Sequence, residues 1–141
     1  MNPYANPQAY RQASVLTATP AQLVVMLYDG VGRFLRQAEV AFGEGAWAHA
    51  HDRLGRAEAI INELHATLDM SQGLISERLE AIYVFCKRQL GEARVEKQPA
   101  KIRTVIRLFG ELREAWAQVA SGAVSTATTP VVPTAGLAAT A

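Results

Sequence analysis

The chain has 141 residues, 50% of them hydrophobic, and a formal net charge of +1. That is the size of one domain with enough apolar residues for a real core, which excludes a mostly disordered chain. Near-neutral charge supplies no overall basic field, which argues against nucleic acid or an anionic membrane as the partner.

No stretch approaches the roughly 18 apolar residues of a membrane span, and Met1-Asn2-Pro3-Tyr4 lacks a basic region followed by an apolar run. No membrane insertion and a cytoplasmic location are expected. The single cysteine, Cys86, can form neither an internal disulfide nor a cysteine metal cluster, and it reads as a small buried apolar residue.

Residues 1–18 carry Pro3, Pro7, Gln8 and Gln12 among the apolar anchors Tyr4, Tyr10, Val15 and Leu16. This composition predicts a loose N-terminal arm, with Tyr10 docking either on its own bundle or on a partner.

A helix follows with a marked beginning. Thr19 suits the N-cap and Pro20 the first helical position, and Gln22 completes a Thr-x-x-Gln capping box. At about 100° per residue, Leu23, Leu27, Val31, Phe34 and Ala38 share one side. Val24, Tyr28, Leu35 and Phe42 fall at one margin, Met26 and Gly30 at the other. This arc is wider than one packed face needs. Asp29 and Arg33, at i, i+4 spacing on the opposite side, read as an exposed pair. Gly30 and Gly32 each cost a helix interior up to about 1 kcal/mol relative to Ala, so a close neighbour, internal or from a partner, is one reading and simple tolerance the other.

Gly43 and Gly45 mark a break, and a second helix is predicted from Ala46 to Asp69. Its seam, Trp47, Ala50, Leu54, Ala57, Ile61, Leu64 and Leu68, alternates spacings of three and four. His49 and His51 point to different faces and no His-x-x-x-His pair exists, so no metal site is expected. Asp69 to Gly73 reads as a turn. A third helix, Leu74 to Val95, has its seam at Ile75, Leu79, Ile82, Cys86, Leu90 and Ala93, with Leu74, Ala81 and Phe85 on another side. That separate strip is either internal packing or a surface for another helix.

Pro99 suits the first position of a fourth helix, in which Ile102, Val105, Phe109, Leu112, Trp116 and Val119 repeat the spacing. Its basic residues, mixed with Glu111 and Glu114, read as a solvated face. Residues 121–141 are uncharged and rich in Ala, Thr, Val and Pro, and read as a disordered tail. The fold class is therefore all-α: an antiparallel up-down four-helix bundle over residues 19–120, with a short N-terminal arm.

Motifs for chemistry are missing. No Glu has a His three residues later, and there is no haem-attachment, phosphate-loop or nucleophile motif. No catalytic residue, cofactor or metal is assigned, and an enzyme is not expected. No helix carries a clustered basic recognition face, so no nucleic-acid partner is expected either.

Tyr10, then Ser14 through Leu23, then Met26-Leu27-Tyr28-Asp29-Gly30 with Phe34 beyond, closely resembles the signature of the flagellin export chaperone family. Ile60-Ile61 with Glu63-Leu64, Leu68-Asp69 before Gly73, Leu79 before Ile82-Tyr83, and Leu112 through Trp116 are similar to the family in the same order. The resemblance covers residues 10 to 120. The chain departs from the family pattern at Ala93-Arg94, where Ala-Asn is usual, and at Val84, where an acidic residue is frequent.

The resemblance implies a small cytoplasmic bundle that binds the C-terminal segment of flagellin and prevents its polymerisation before type III export. Export-gate components are a further partner class, and a homodimer stays open. The surplus apolar surface then gains a use under a wrapped partner, and the partner-binding candidates are Tyr10, Leu23, Met26, Gly30, Leu74, Ala81 and Phe85. The alternative is a structural or regulatory bundle whose apolar faces drive homo-oligomerisation.

Overall fold

The computed structural model describes residues 7–122, apart from the side chains of Tyr10, Arg11 and Ser14. Residues 1–6 of the predicted arm and 123–141 of the predicted tail lie outside the described residues.

Within the predicted arm, Pro7–Thr17 is a helix, α1. Ala, Gln, Arg and Leu are all good helix formers, and no Gly or Pro interrupts them after Pro7. The Thr17 hydroxyl closes the last turn by donating to the Ala13 carbonyl at 2.9 Å.

Helix α2, Pro20–Gly43, begins with the capping box that its sequence encodes. The Gln22 amide donates to Thr19 Oγ1 at 3.1 Å, and the Thr19 amide donates to Gln22 Oε1 at 2.8 Å. Two otherwise unpaired helix-start donors are thus satisfied. The buried face, however, is rotated from the predicted one. Val24, Tyr28, Val31, Leu35, Ala38 and Phe42 are buried, whereas Leu23, Leu27 and Phe34 are half-buried. The predicted margin is the true centre because α2 packs against two helices at once, α3 and α5, and the facing groove lies between them.

Helix α3, Trp47–Ala66, buries Ala50, Leu54, Ala57, Ile61 and Leu64, with Leu68 just beyond it. The seam prediction fails only at Trp47, which is 42% exposed. Its ring rests on Phe42, centroids 5.9 Å apart, with the Lys97 ammonium 5.1 Å above it. The helix stops three residues before the predicted end. A single 3-10 turn, Met70–Gln72, follows, and the Asp69 carboxylate accepts the Ser71 amide at 3.0 Å and the Gln72 side-chain amide at 3.1 Å. Gly73, at φ +79°, takes a conformation closed to most side chains.

Helix α4, Leu74–Glu96, buries Ser76, Leu79, Tyr83, Cys86, Leu90 and Ala93. Predicted seam residues Ile75, 40% exposed, and Ile82, half-buried, give way to Ser76 and Tyr83. These two are polar, and each is buried with a partner: the Ser76 hydroxyl donates to the Asp69 carbonyl, and the Tyr83 hydroxyl pairs with that of Tyr28. Helix α5, Ala100–Ala120, buries Ile102, Val105, Phe109 and Trp116, and leaves Leu112 and Val119 half-buried.

Short connections make sequential helices antiparallel neighbours. Around the bundle, α2 packs on α3, α3 on α4, α4 on α5 and α5 back on α2, so α2 and α4 face each other across a diagonal. The α2 contacts are the most extensive, and Ala21, Gly30, Ala38 and Ala41 are small buried residues that let neighbours approach its backbone. Gly30 is the clearest case. A Cβ there would lie 3.1 Å from Ile60 Cδ1, so its neighbour is internal; at Gly32 a Cβ would meet only Arg36 of its own helix.

Charges cross between helices more than the sequence suggests. Asp29 does not pair with Arg33; it accepts from Arg113 Nε of α5 at 2.9 Å, while the Arg33 guanidinium lies 5.1 Å from the Phe34 ring centroid. Arg103 reaches Glu39 at 3.0 Å. Arg94, at a position where the sequence departs from the family pattern, grips Glu58 with two bonds of 2.5 and 3.1 Å, joining α4 to α3.

Candidate functional site

Two polar groups in the core are committed to each other. The Tyr28 and Tyr83 hydroxyls lie 2.7 Å apart, Phe109 meets Tyr28 edge-on at 5.3 Å, and it stacks on Tyr83 at 6.2 Å. Burial, reinforced by Tyr83, holds the Tyr28 phenol well above its ordinary range. The indole N–H of Trp116, buried with no partner of hydrogen-bond geometry, acts on the same hydroxyl in the opposite sense. Burial raises Tyr83 to about 12 and the Cys86 thiol to about 12. These groups stay protonated at neutral pH and are inert as nucleophiles.

Among the described residues, no group of three His, Cys, Asp or Glu side chains could hold a metal ion. His65 is occupied otherwise, with Nε2 3.0 Å from Glu80 Oε2 and Nδ1 2.8 Å from Lys87 Nζ. His51 rests against Phe42, ring centroids 6.1 Å apart. No described helix is long and apolar enough to cross a membrane.

Chemistry in the core being closed, the surface carries the candidate site. Large apolar side chains are exposed at Val15 and Leu16 of α1, at Met26 of α2, at Met70, and at Leu74 and Ile75 of α4. Leu16, Met70, Leu74 and Ile75 lie near the end of the bundle where α2 and α4 begin and α3 and α5 finish, while Val40, Trp47, Val84 and Val95 are exposed elsewhere. At that end lies an open groove of about 500 Å³, lined by Thr17, Ala18, Gln22, Val25, Met26, Ala117, Ala120 and Ser121. Five of these eight residues are apolar and three carry polar side chains.

The partner-binding candidates separate on this structure. Met26, 37% exposed, lines the groove, and Leu23 is half-buried on the same helix. Gly30, for which the sequence left an internal or a partner neighbour open, is buried and lies against Ile60 of α3. Leu74, 58% exposed, and Ala81, also exposed, lie on α4. Phe85, on the same helix, is half-buried: its ring packs on the core with the Arg88 guanidinium 5.8 Å from its centroid. Tyr10 lies in α1, and its side chain falls outside the described residues.

The candidates therefore form two surfaces on diagonally opposed helices rather than one patch. Sequence reasoning missed Val25, Ala117 and Ala120 in the groove wall. Their signal is faint: each is a small or β-branched residue flanking a seam position, and only the meeting of α2 with the last turn of α5 makes them neighbours.

Comparison with known proteins agrees with this architecture. Residues 2–123 match the model of the family described as flagellar protein FliS. The chain is 35% identical over 117 residues to the flagellar secretion chaperone FliS of Bacillus subtilis (strain 168), covering 83% of this chain and 85% of that one. It is 32% identical to the protein of the same name from Vibrio cholerae serotype O1, covering 79% and 86% of the two chains. Identity to the Salmonella typhimurium protein of that name is 33%, over 79% and 87%. With its helical bundle, its capped α2 and a family match along nearly the whole bundle, the chain belongs to the FliS family of flagellar proteins.

Proposed function

We propose that this protein is a cytoplasmic export chaperone that binds the C-terminal segment of flagellin and holds it unpolymerised until export. Membership of a family whose relatives are named flagellar secretion chaperones supports the coarser reading, a chaperone for a flagellar substrate. The observation that carries the finer one is a pair of apolar surfaces, an open groove between α2 and α5 that Met26 lines and an exposed strip on α4 with Leu74.

A segment that assembles through amphipathic helices exposes apolar stripes until its partners arrive. A surface with apolar anchors at helical intervals covers such stripes and blocks premature pairing. Met26 in the groove and Leu74 and Ala81 on α4 are the anchors in this reading, and their separation across the bundle suits a partner that wraps rather than one that inserts at a single point. Ordering a disordered segment opposes binding, which suits a carrier that must later release its cargo.

The test is calorimetric titration of the full chain with the isolated flagellin C-terminal segment. Saturable binding with a negative heat-capacity change supports the proposal. Self-association without flagellin binding, seen by size-exclusion chromatography of the same sample, would instead support an oligomerising bundle.

A further inference from the structure

We propose that the C-terminal segment of this chain, residues 123–141, occupies the groove at the α2–α5 end and competes there with the cargo. The regulatory half of this statement rests on the cargo reading above, whereas the occupancy itself does not.

Three observations select this occupant. The groove's far wall is Ala117, Ala120 and Ser121, the last turn of α5, so the segment starts at the groove's edge. Gly122, at φ +78°, ends the helix there in a left-handed conformation, its amide bonded to the Val119 carbonyl at 3.0 Å. Closing so short a loop loses little entropy. By contrast, the described chain enters α1 at Pro7, the far end of a helix whose 11 residues span about 16 Å to Thr17.

The chemistry agrees. The 19 residues after Gly122 contain no Asp, Glu, Lys or Arg, so no charge is desolvated on docking. Val131 and Val132, set between Pro130 and Pro133, offer apolar side chains on a stretch that the prolines bias towards extended backbone. Val25 and Met26 are the matching apolar groups on α2, and Met26 is 37% exposed without a cover. A partner that also uses Met26 must displace the segment, which lowers its apparent affinity by the fraction of open groove.

The experiment uses the full chain with Cys86→Ala and Thr134→Cys, a spin label on the new thiol, and carbon-13 methyl labels on the methionines. The expected result is broadening of the Met26 methyl signal beyond that of Met70, abolished by Val131→Asp with Val132→Asp. A Met26 signal no broader than that of Met70 would overturn the proposal. So would broadening that appears only between molecules, tested by mixing spin-labelled chains with separately methyl-labelled ones. On the regulatory half, the double Asp variant should bind the flagellin segment severalfold more tightly than the parent chain. Selective broadening with no flagellin binding by any variant would leave the occupancy standing and remove the cargo reading instead.

Discussion

Tyr28 and Tyr83 lie on helices that face each other across the bundle diagonal, and their hydroxyls meet at 2.7 Å in the middle of the core. This is the polar link between α2 and α4, and each hydroxyl is the other's hydrogen-bond partner. Removing one strands the other in a buried site. Tyr28→Phe or Tyr83→Phe alone should therefore lower stability by about 1–3 kcal/mol, whereas the double Phe variant should recover most of the loss. Urea melts of the three variants form the double-mutant cycle; strictly additive losses would show that the bond carries no coupling.

The buried acids also dictate the response to alkali. Cys86 rises from an ordinary value of 9.0 to about 12, and Tyr83 from 10.0 to about 12, both through burial, with Tyr28 shifted in the same direction. The folded state holds these protons more tightly than the unfolded state. Their contribution is therefore fully present below about pH 9 and is lost as pH rises through the unfolded values towards the folded ones. Denaturant midpoints should fall steadily between pH 9 and 11. Cys86 should likewise resist thiol reagents until denaturant is added.

Gly30 tests how closely α3 approaches α2. A methyl there meets the far end of the flexible Ile60 side chain, which can yield by a few tenths of an ångström, while Ala gains about 1 kcal/mol in helix propensity. Gly30→Ala should accordingly change stability by less than about 1 kcal/mol. Gly30→Leu overfills the same contact and should cost about 1–3 kcal/mol in a thermal or urea melt.

At the surface, Met26→Asp and Leu74→Asp should weaken flagellin binding while leaving the melt close to that of the parent, because neither side chain belongs to the buried core. Phe85→Asp should behave differently. Its ring packs on the core, so stability and binding should fall together. Calorimetric titration beside a melt of each sample separates the two patterns. Parent-like binding by both Met26→Asp and Leu74→Asp would reject these anchors.

The helix count of the bundle, its three breaks and the start of α2 are legible in the amino-acid sequence because they follow from local rules: a capping box, Gly and Pro at chain breaks, and apolar residues every three or four positions. The α3 seam from Ala50 to Leu68 is of this kind, since one repeating stripe has one way to face inward. The all-helical fold depends on little else.

Rotation of a helix about its own axis is another matter. On α2 the apolar arc is so wide that periodicity alone puts Leu23 and Phe34 at its centre, and only the positions of α3 and α5 move that centre to Tyr28 and Leu35. On α4 the inward places of Ser76 and Tyr83 depend on partners 7 and 55 residues away. A polar residue counts as buried only when the group that satisfies it is known, and such a group is found by tertiary packing. The same holds for the groove, whose walls come from opposite ends of the bundle sequence and become a surface only when α5 returns beside the start of α2.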